Sequence, residues 1–254
     1  MSKIVKYEHI TTFDLDDYDR ERTLFVLPVS LLEEHGPHLP LGTDLLLAEA
    51  LARRLAERID GLFGMKHIVL MRGVPLGAGG IPMAGTIESD PQTVKQVVID
   101  YGNSLAAYGF KYCLLSSGHA GSAHLQALQD ACDTLQNKRK FNMIPVSNHV
   151  IEAFFNGRLI EKINSYLSKP LSATDLADFR IDSHAGWWET SAMLLEHESL
   201  VQDNYKTLHK SEQIGSLGYQ GIPSRADKEF AEAVIQAMLD TAVEFLQTYL
   251  GPLS

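Results

Sequence analysis

"TLFVLPVSLLEEHGPHLPLGTDLLLAEALARRLAERI", Thr23 to Ile59, carries a strand, a polar turn and a helix in immediate succession. Thr23 to Ser30 is a short β-rich apolar run, the pattern of a buried strand. From Thr43 onward apolar residues recur at helical spacing, with Thr43 or Asp44 as the N-cap. The same order returns along the chain. "HIVLMR" (67–72), "KYCLLSS" (111–117) and "FNMIPVSN" (141–148) read as further strands. "DPQTVKQVVIDYGNSLAAYG" (90–109) reads as a helix with Asp90 capping, Pro91 at its first position and Gly109 closing it. "SAHLQALQDACDTLQNK" (122–138) is another helix, and 225–250 holds a long terminal one whose apolar stripe should pack on the sheet. Strand then helix, with short connections, predicts a parallel sheet covered on both faces. Residues 151–183 give the weakest pattern. There is no internal repeat and no low-complexity linker.

The 254 residues, 45% hydrophobic, suffice for a sizeable core. A formal charge of -10 argues against nucleic acid as the main partner. "NKRK" (137–140) fits a solvated helix end better than a nucleic-acid patch. Cys113 and Cys132 are too far apart for a CxxC motif, and Cys113 lies in an apolar run, as a reduced buried thiol would. The N-terminal stretch lacks the apolar core of a signal peptide, and no run approaches the ~18 apolar residues of a membrane span. The expectation is a cytoplasmic protein with no membrane partner.

In parallel sheets, ligands collect beyond the carboxyl ends of the strands. Two polar stretches follow apolar strands here. One is "SLLEEHGPHLPLGTD" (30–44), with three acids and two histidines; the other is "SSGHAGSAH" (116–124). Glu33 and His35 are two apart and face the same way in an extended segment. They suit a pair of metals roughly 3.5–4 Å apart. Asp44 offers two oxygens to bridge them, and His119 a further nitrogen. Carboxylate with imidazole suits zinc or manganese. The competing reading makes Glu33 and Glu34 solvated loop charges and Asp44 a helix cap. For His119 it is a backbone hydrogen bond. "DSHAGWWETSAML" (182–194) concentrates His184 and Glu189, but alone it reads as a core helix with Trp187 and Trp188 inside. "GAGGIP" is not a GxGxxG loop, and neither GxSxG nor HExxH occurs.

"EEHGPHLPLGTD" closely resembles the ExHGxHLPLxTD signature of the creatininase (creatinine amidohydrolase) family. "SGHAG" is similar to its NGHxxN motif, "HAGWWETS" to HAGxxETS, "IPMAGTI" to FPGTI, and "GYQGIPSRAD" to the late GxxGxP segment. The matches run in family order from about residue 20 to 235. The resemblance implies one domain over residues 1–254, a three-layer α/β/α fold with a mainly parallel central sheet, and a homohexamer. It also implies two divalent metals per chain, zinc first, with manganese or iron(II) at one site. Glu33, Asp44 and His119 would hold one metal, and His35 and Asp44 the other. The family's creatininases complete the second site with a glutamate two residues after the histidine matched by His119; here that position is Gly121. Glu189 is the better replacement, since Glu34 should point away from Glu33 and His35. His184 matches the family's acid–base histidine, so His184 and Glu189 form the catalytic pair.

Arg180 stands where creatininases carry a gating tryptophan, and Ser117 where NGH has asparagine. The ionisable residues before FPGTI are absent. The implied function is metal-dependent hydrolysis of a C–N bond in a small amide other than creatinine, through a metal-bridging hydroxide. The rivals are a formamide hydrolase or a cofactor-pathway peptidase on the same fold, and a non-catalytic metal-binding homologue.

Overall fold

Every residue of β2 (Thr23–Ser30) is buried, which only a strand covered on both faces achieves. The computed structural model describes residues 2–139 and 141–251, so the last residue of the "NKRK" run lies outside the described residues. In chain order, β1 (Lys3–Lys6) and the short α1 (Thr12–Asp16) precede β2, and α2 (Thr43–Ile59) follows it. Next come β3 (His67–Leu70), β4 (Val74–Pro75), α3 (Pro91–Ala107), β5 (Tyr112–Ser116), α4 (Ser122–Arg139) and β6 (Asn142–Ile144). α5 (Val146–Phe155), α6 (Ile160–Tyr166) and α7 (Ala173–Phe179) fill the stretch that gave the weakest sequence signal. α8 (Trp187–Glu196) and α9 (Lys228–Leu250) complete the set.

The strands form one parallel sheet in the order β1-β3-β2-β5-β6, with β4 pairing the far end of β2 at Val29 and Ser30. Side chains alternate across β2. Leu24 and Val26 enter the core shared with α2, α5 and α9, whereas Phe25, Leu27 and Val29 enter the core shared with α3 and α4. The result is a three-layer α/β/α sandwich. Asp90 caps α3 through the Gln92 N–H with Pro91 behind it, and Gly109 turns the chain with φ +87°. No helix among the described residues is long and apolar enough to cross a membrane.

The structure corrects the sequence expectation at three places. The strand expected over 141–148 stops at Ile144, and α5 begins at Val146. Pro145 has no N–H to continue the ladder, so it ends the strand. β1 and β4 were not anticipated. α2 begins at Thr43 with Gly42 as its N-cap, and Asp44 sits in the first turn without capping it.

Leu114 in β5 is fully buried against the α2–α9 face. Leu114→Ala should cost about 2–5 kcal/mol of unfolding free energy, read from urea denaturation. A loss below about 1 kcal/mol would mean that this face of the sheet is loosely packed.

Candidate metal centre

Four chain segments converge at the carboxyl ends of β2 and β5. After β2 the chain stays extended as far as His35 and then reverses at Gly36, whose φ of +66° favours glycine. Glu33 and His35 come from this segment, Asp44 from the first turn of α2, and His119 from the loop between β5 and α4. Glu189 comes from the first turn of α8, and His184 from the loop before it. Ala185, between His184 and α8, is the one non-glycine with positive φ (47°) among the described residues. Such backbone costs on the order of 1 kcal/mol and persists where surroundings impose it. Here the Ala185 N–H donates to the Glu189 carboxylate, tying the turn to the helix.

The sequence-predicted residues form three overlapping groups, Glu33–Asp44–His119, His35–Asp44–Glu189 and Glu33–His35–His184, and the first two share Asp44. Asp44 Oδ1 lies 3.2 Å from His35 Nε2, and Glu189 Oε2 lies 3.7 Å from the same nitrogen. On the other side, His119 Nδ1 lies 3.0 Å from Glu33 Oε2 and 3.3 Å from Asp44 Oδ2. In each trio, Glu33–Asp44–His119 and His35–Asp44–Glu189, the potential ligand atoms lie within 4.8 Å of one another. Supporting bonds aim these atoms. His35 Nδ1 sits 3.1 Å from the Glu33 carbonyl, leaving Nε2 to face Asp44, and the Ile81 N–H donates to Glu33 Oε1 at 2.5 Å.

Glu33, His35 and Asp44 are each 1% exposed. Yet Glu33 Oε2, His35 Nε2 and Asp44 Oδ2 have no hydrogen-bond partner among the described residues. Nor does any lysine or arginine pair with Glu33, Asp44 or Glu189 among them. Buried carboxylates that meet only imidazoles, with no lysine or arginine beside them, are costly, and carboxylate oxygens with imidazole nitrogens are a donor set for zinc, manganese or iron(II). The residues fit a divalent cation. Their mutual electrostatics agree. Burial disfavours a charged His35 ring, but the charge and hydrogen bond of Asp44, with Glu189 and the Glu33 carbonyl adding, together outweigh it and hold the ring up to about 10. Burial opposes charge at His119 too, and contact with Asp44 and Glu33 raises that ring to about 10. Burial lifts the Glu189 carboxyl above the usual range despite the opposing charges of His35 and His184.

Position 121, where the family resemblance implies a second-site glutamate, is glycine and sits against His119. A Cβ at Gly121 would overlap the His119 ring, so that ring occupies the space through which a longer side chain would leave.

The supporting roles of His38 and Asp182 and the partner of Glu34 were missed in the sequence. Glu34 does point away from the cluster, toward His184. His184 Nε2 lies 2.8 Å from the Glu34 carbonyl oxygen and 3.5 Å from Glu34 Oε1, while Glu34 Oε2 accepts the Gly36 N–H at 3.1 Å. Gly218 makes room, because a Cβ there would overlap the Glu34 carboxylate. His38, fully buried, sets Nε2 2.9 Å from Thr190 Oγ1 and so ties the loop after β2 to α8. Asp182 accepts the Trp187 and Trp188 N–H groups at 2.6 and 2.7 Å, capping α8 from outside it. The signal for Glu34 and His38 was their place inside "EEHGPH"; Asp182 carried none beyond an acid ahead of a helix.

His184, Trp188 and Glu189 line a cavity of about 40 Å³. Phe154, Phe155 and Asp182 join it to a larger cavity of about 510 Å³, which Arg180 also lines. Arg180 is exposed and has no salt bridge among the described residues. The acids near it in sequence are engaged elsewhere. Asp175 and Asp178 pair with Arg225, Asp178 also with Lys210, and Asp182 holds α8.

Residues 8–246 match the family profile described as "Creatininase: Creatinine amidohydrolase". The chain belongs to the creatininase family. Among solved structures, a creatininase described as the manganese form superposes with a TM-score of 0.72 at 21% identity, covering 98% of this chain and all of that one. A second, described as creatinine amidohydrolase (creatininase), gives 0.70 at 21% identity over 99% of this chain. At such identity the likeness concerns the fold. A mycofactocin precursor peptide peptidase from Mycobacterium ulcerans (strain Agy99) is 31% identical over 115 residues, 44% of this chain and 45% of that protein. A creatinine amidohydrolase from Pseudomonas putida is 34% identical over 103 residues, 38% of this chain and 37% of that one. The matched part thus spans less than half the length of either relative.

Asp182 supplies a test of how this creatininase-family site is held. Burial pushes its carboxyl up to about 7 against the pull of the Trp188 and Trp187 N–H groups. An unfolded aspartate ionises near ~3.9. With the folded value raised, this group's stabilisation is complete below about pH 4 and is lost as pH rises toward 7. Asp182→Asn should therefore remove a downward slope in unfolding free energy across that window, measured by urea denaturation. An unchanged slope would mean that the carboxylate stays ionised at the helix end throughout.

Proposed function

We propose that this creatininase-family hydrolase cleaves a C–N bond of an amide at a dinuclear metal site. The observation that carries the reading is the pair of acid–imidazole trios sharing Asp44, buried except for the half-buried Glu189, with unpartnered atoms on Glu33, His35 and Asp44. Glu33, Asp44 and His119 would hold one divalent cation, and His35, Asp44 and Glu189 a second, zinc first, with manganese or iron(II) at one position. When bound, the cations supply Lewis-acid polarisation of the amide carbonyl and a hydrolytic water with a pKa near ~7. The same reading has the chain working in the cytoplasm as a homohexamer, as the family resemblance implies.

The chain's own groups complete the chemistry. With His184 Nε2–H donating to the Glu34 carbonyl, the proton for the departing nitrogen leaves from Nδ1. Burial disfavours the charged ring, but Glu34 raises its pKa above the usual histidine value and keeps a proton available. Glu189 fixes the turn that aims His184 while its carboxylate faces His35. His184→Ala should keep its metal, measured by elemental analysis, and lose roughly 10²–10⁴ in kcat. Glu189→Gln should lose the metal assigned to His35, Asp44 and Glu189 and recover in part with excess metal. The reverse pattern of rescue would exchange the two roles, and full metal with full activity in both variants would reduce this segment to core.

A second reading, that the substrate is a linear amide ending in a carboxylate, such as a peptide, is favoured by the unpaired Arg180 beside the catalytic cavity. On this reading creatinine is a poor substrate, and acylated dipeptides with a free carboxylate outperform their C-terminal amides. Arg180→Gln should raise KM for the acids by about tenfold or more, the worth of a charge-assisted bond, and leave the amides unchanged. Efficient creatinine turnover by the metal-loaded protein would overturn this specificity.

A further inference from the structure

A third cavity, of about 70 Å³, lies behind Trp188. Leu47, Leu51, Val146, Val150, Leu239 and Ala242 line it, from α2, α5 and α9. Gly118, Ile151, Trp188 and Met238 line both this cavity and the one that holds His184 and Glu189, so the two adjoin across those residues. The hydroxyls in its wall are already engaged. Ser116 Oγ donates to the Ala48 carbonyl at 3.0 Å, Ser117 Oγ to the His119 carbonyl at 3.1 Å, and Ser147 Oγ to the Leu115 carbonyl at 3.5 Å. Among the described residues, no ionisable one lines it. An apolar cavity of about 150 Å³ stays dry and takes up benzene. At roughly half that size, this one matches a short aliphatic chain.

We propose that the cavity behind Trp188 is a specificity pocket that receives an aliphatic group of the substrate, placed next to the scissile amide. The inference rests on the hydrolytic reading above and adds to it what the substrate carries on one side of the bond. Trp188 forms the partition. It is only half-buried, unlike its neighbour Trp187 at 5% exposure, and its ring packs 5.8 Å from that of Phe154. A chain passing Trp188 leaves water for a wall of leucine, valine and alanine, and each methylene so buried adds affinity that a polar group would forfeit.

The test uses straight-chain hydroxamic acids, from acetohydroxamate to pentanohydroxamate, titrated calorimetrically into the zinc-loaded full-length protein. Binding should depend on the metal and tighten with chain length, by up to about fourfold for each methylene. Ala242→Leu, which fills the cavity from α9, should abolish the length dependence and leave acetohydroxamate binding unchanged. Metal-dependent binding with no gain along the wild-type series would overturn the pocket while leaving the hydrolytic site standing. A gain that survives in Ala242→Leu would overturn the pocket in the same way. Failure of every hydroxamate to bind the zinc-loaded protein would overturn the pocket and the metal reading together. The wild-type series decides the matter even if Ala242→Leu does not fold.

Discussion

Asp44 is the point on which the site turns. One carboxylate, 1% exposed, faces His35 with one oxygen and His119 with the other, and through them it touches segments that follow two different strands. An acid buried so deeply is stable only if opposite charge or coordination meets it. Burial would raise its pKa, and the two imidazoles hold it well below the usual carboxylate range. The surrounding construction follows from this demand. α2 must begin where it does, β2 and β5 must be neighbours, and the loop after β5 must close over the first turn of α2. Register between β2 and β5, Leu24 opposite Tyr112 through Pro28 opposite Ser116, delivers both loops to the same edge.

Much of this was legible in the sequence because its signals are local and periodic. Apolar runs of strand length and helices with Asp–Pro starts or glycine ends can be read without knowing what they pack against. β1 and β4 lacked such signals. Lys3–Lys6 is a largely exposed edge, and Val74–Pro75 is two residues long, one of them a poor strand former. Asp44 satisfies the rule for a helix N-cap, and only its buried neighbours turn it toward histidines instead. The same holds for Glu34. An extended segment sends it away from Glu33, but what it meets there, His184, arrives from 150 positions later. Long-range partners are set by tertiary packing, which no local pattern encodes.

Gly121 leaves room for the His119 ring and offers no ligand atom of its own. His119 leans over Gly121, and Glu189, from a helix that enters the fold last but one, reaches His35. The Glu189 carboxylate delivered by α8 stands five residues from His184, and the Ala185 N–H bound to it ties the loop that carries His184 to the start of that helix. Asp182 holds that support by its first N–H groups, and His38 by Thr190.

The two helical layers divide labour unequally. α3 and α4 pack against each other over a core of their own and contribute no member of either trio, whereas α2, α5, α8 and α9 carry or enclose nearly everything around the cavities. Variation on the α3–α4 side therefore alters stability with little consequence for what is recognised. On the other side, exchanges at single helical positions such as Val150 or Ala242 reshape the cavity that adjoins the one lined by His184 and Glu189, and leave the carboxylates and imidazoles untouched. A lineage built this way can change diet while keeping its chemistry.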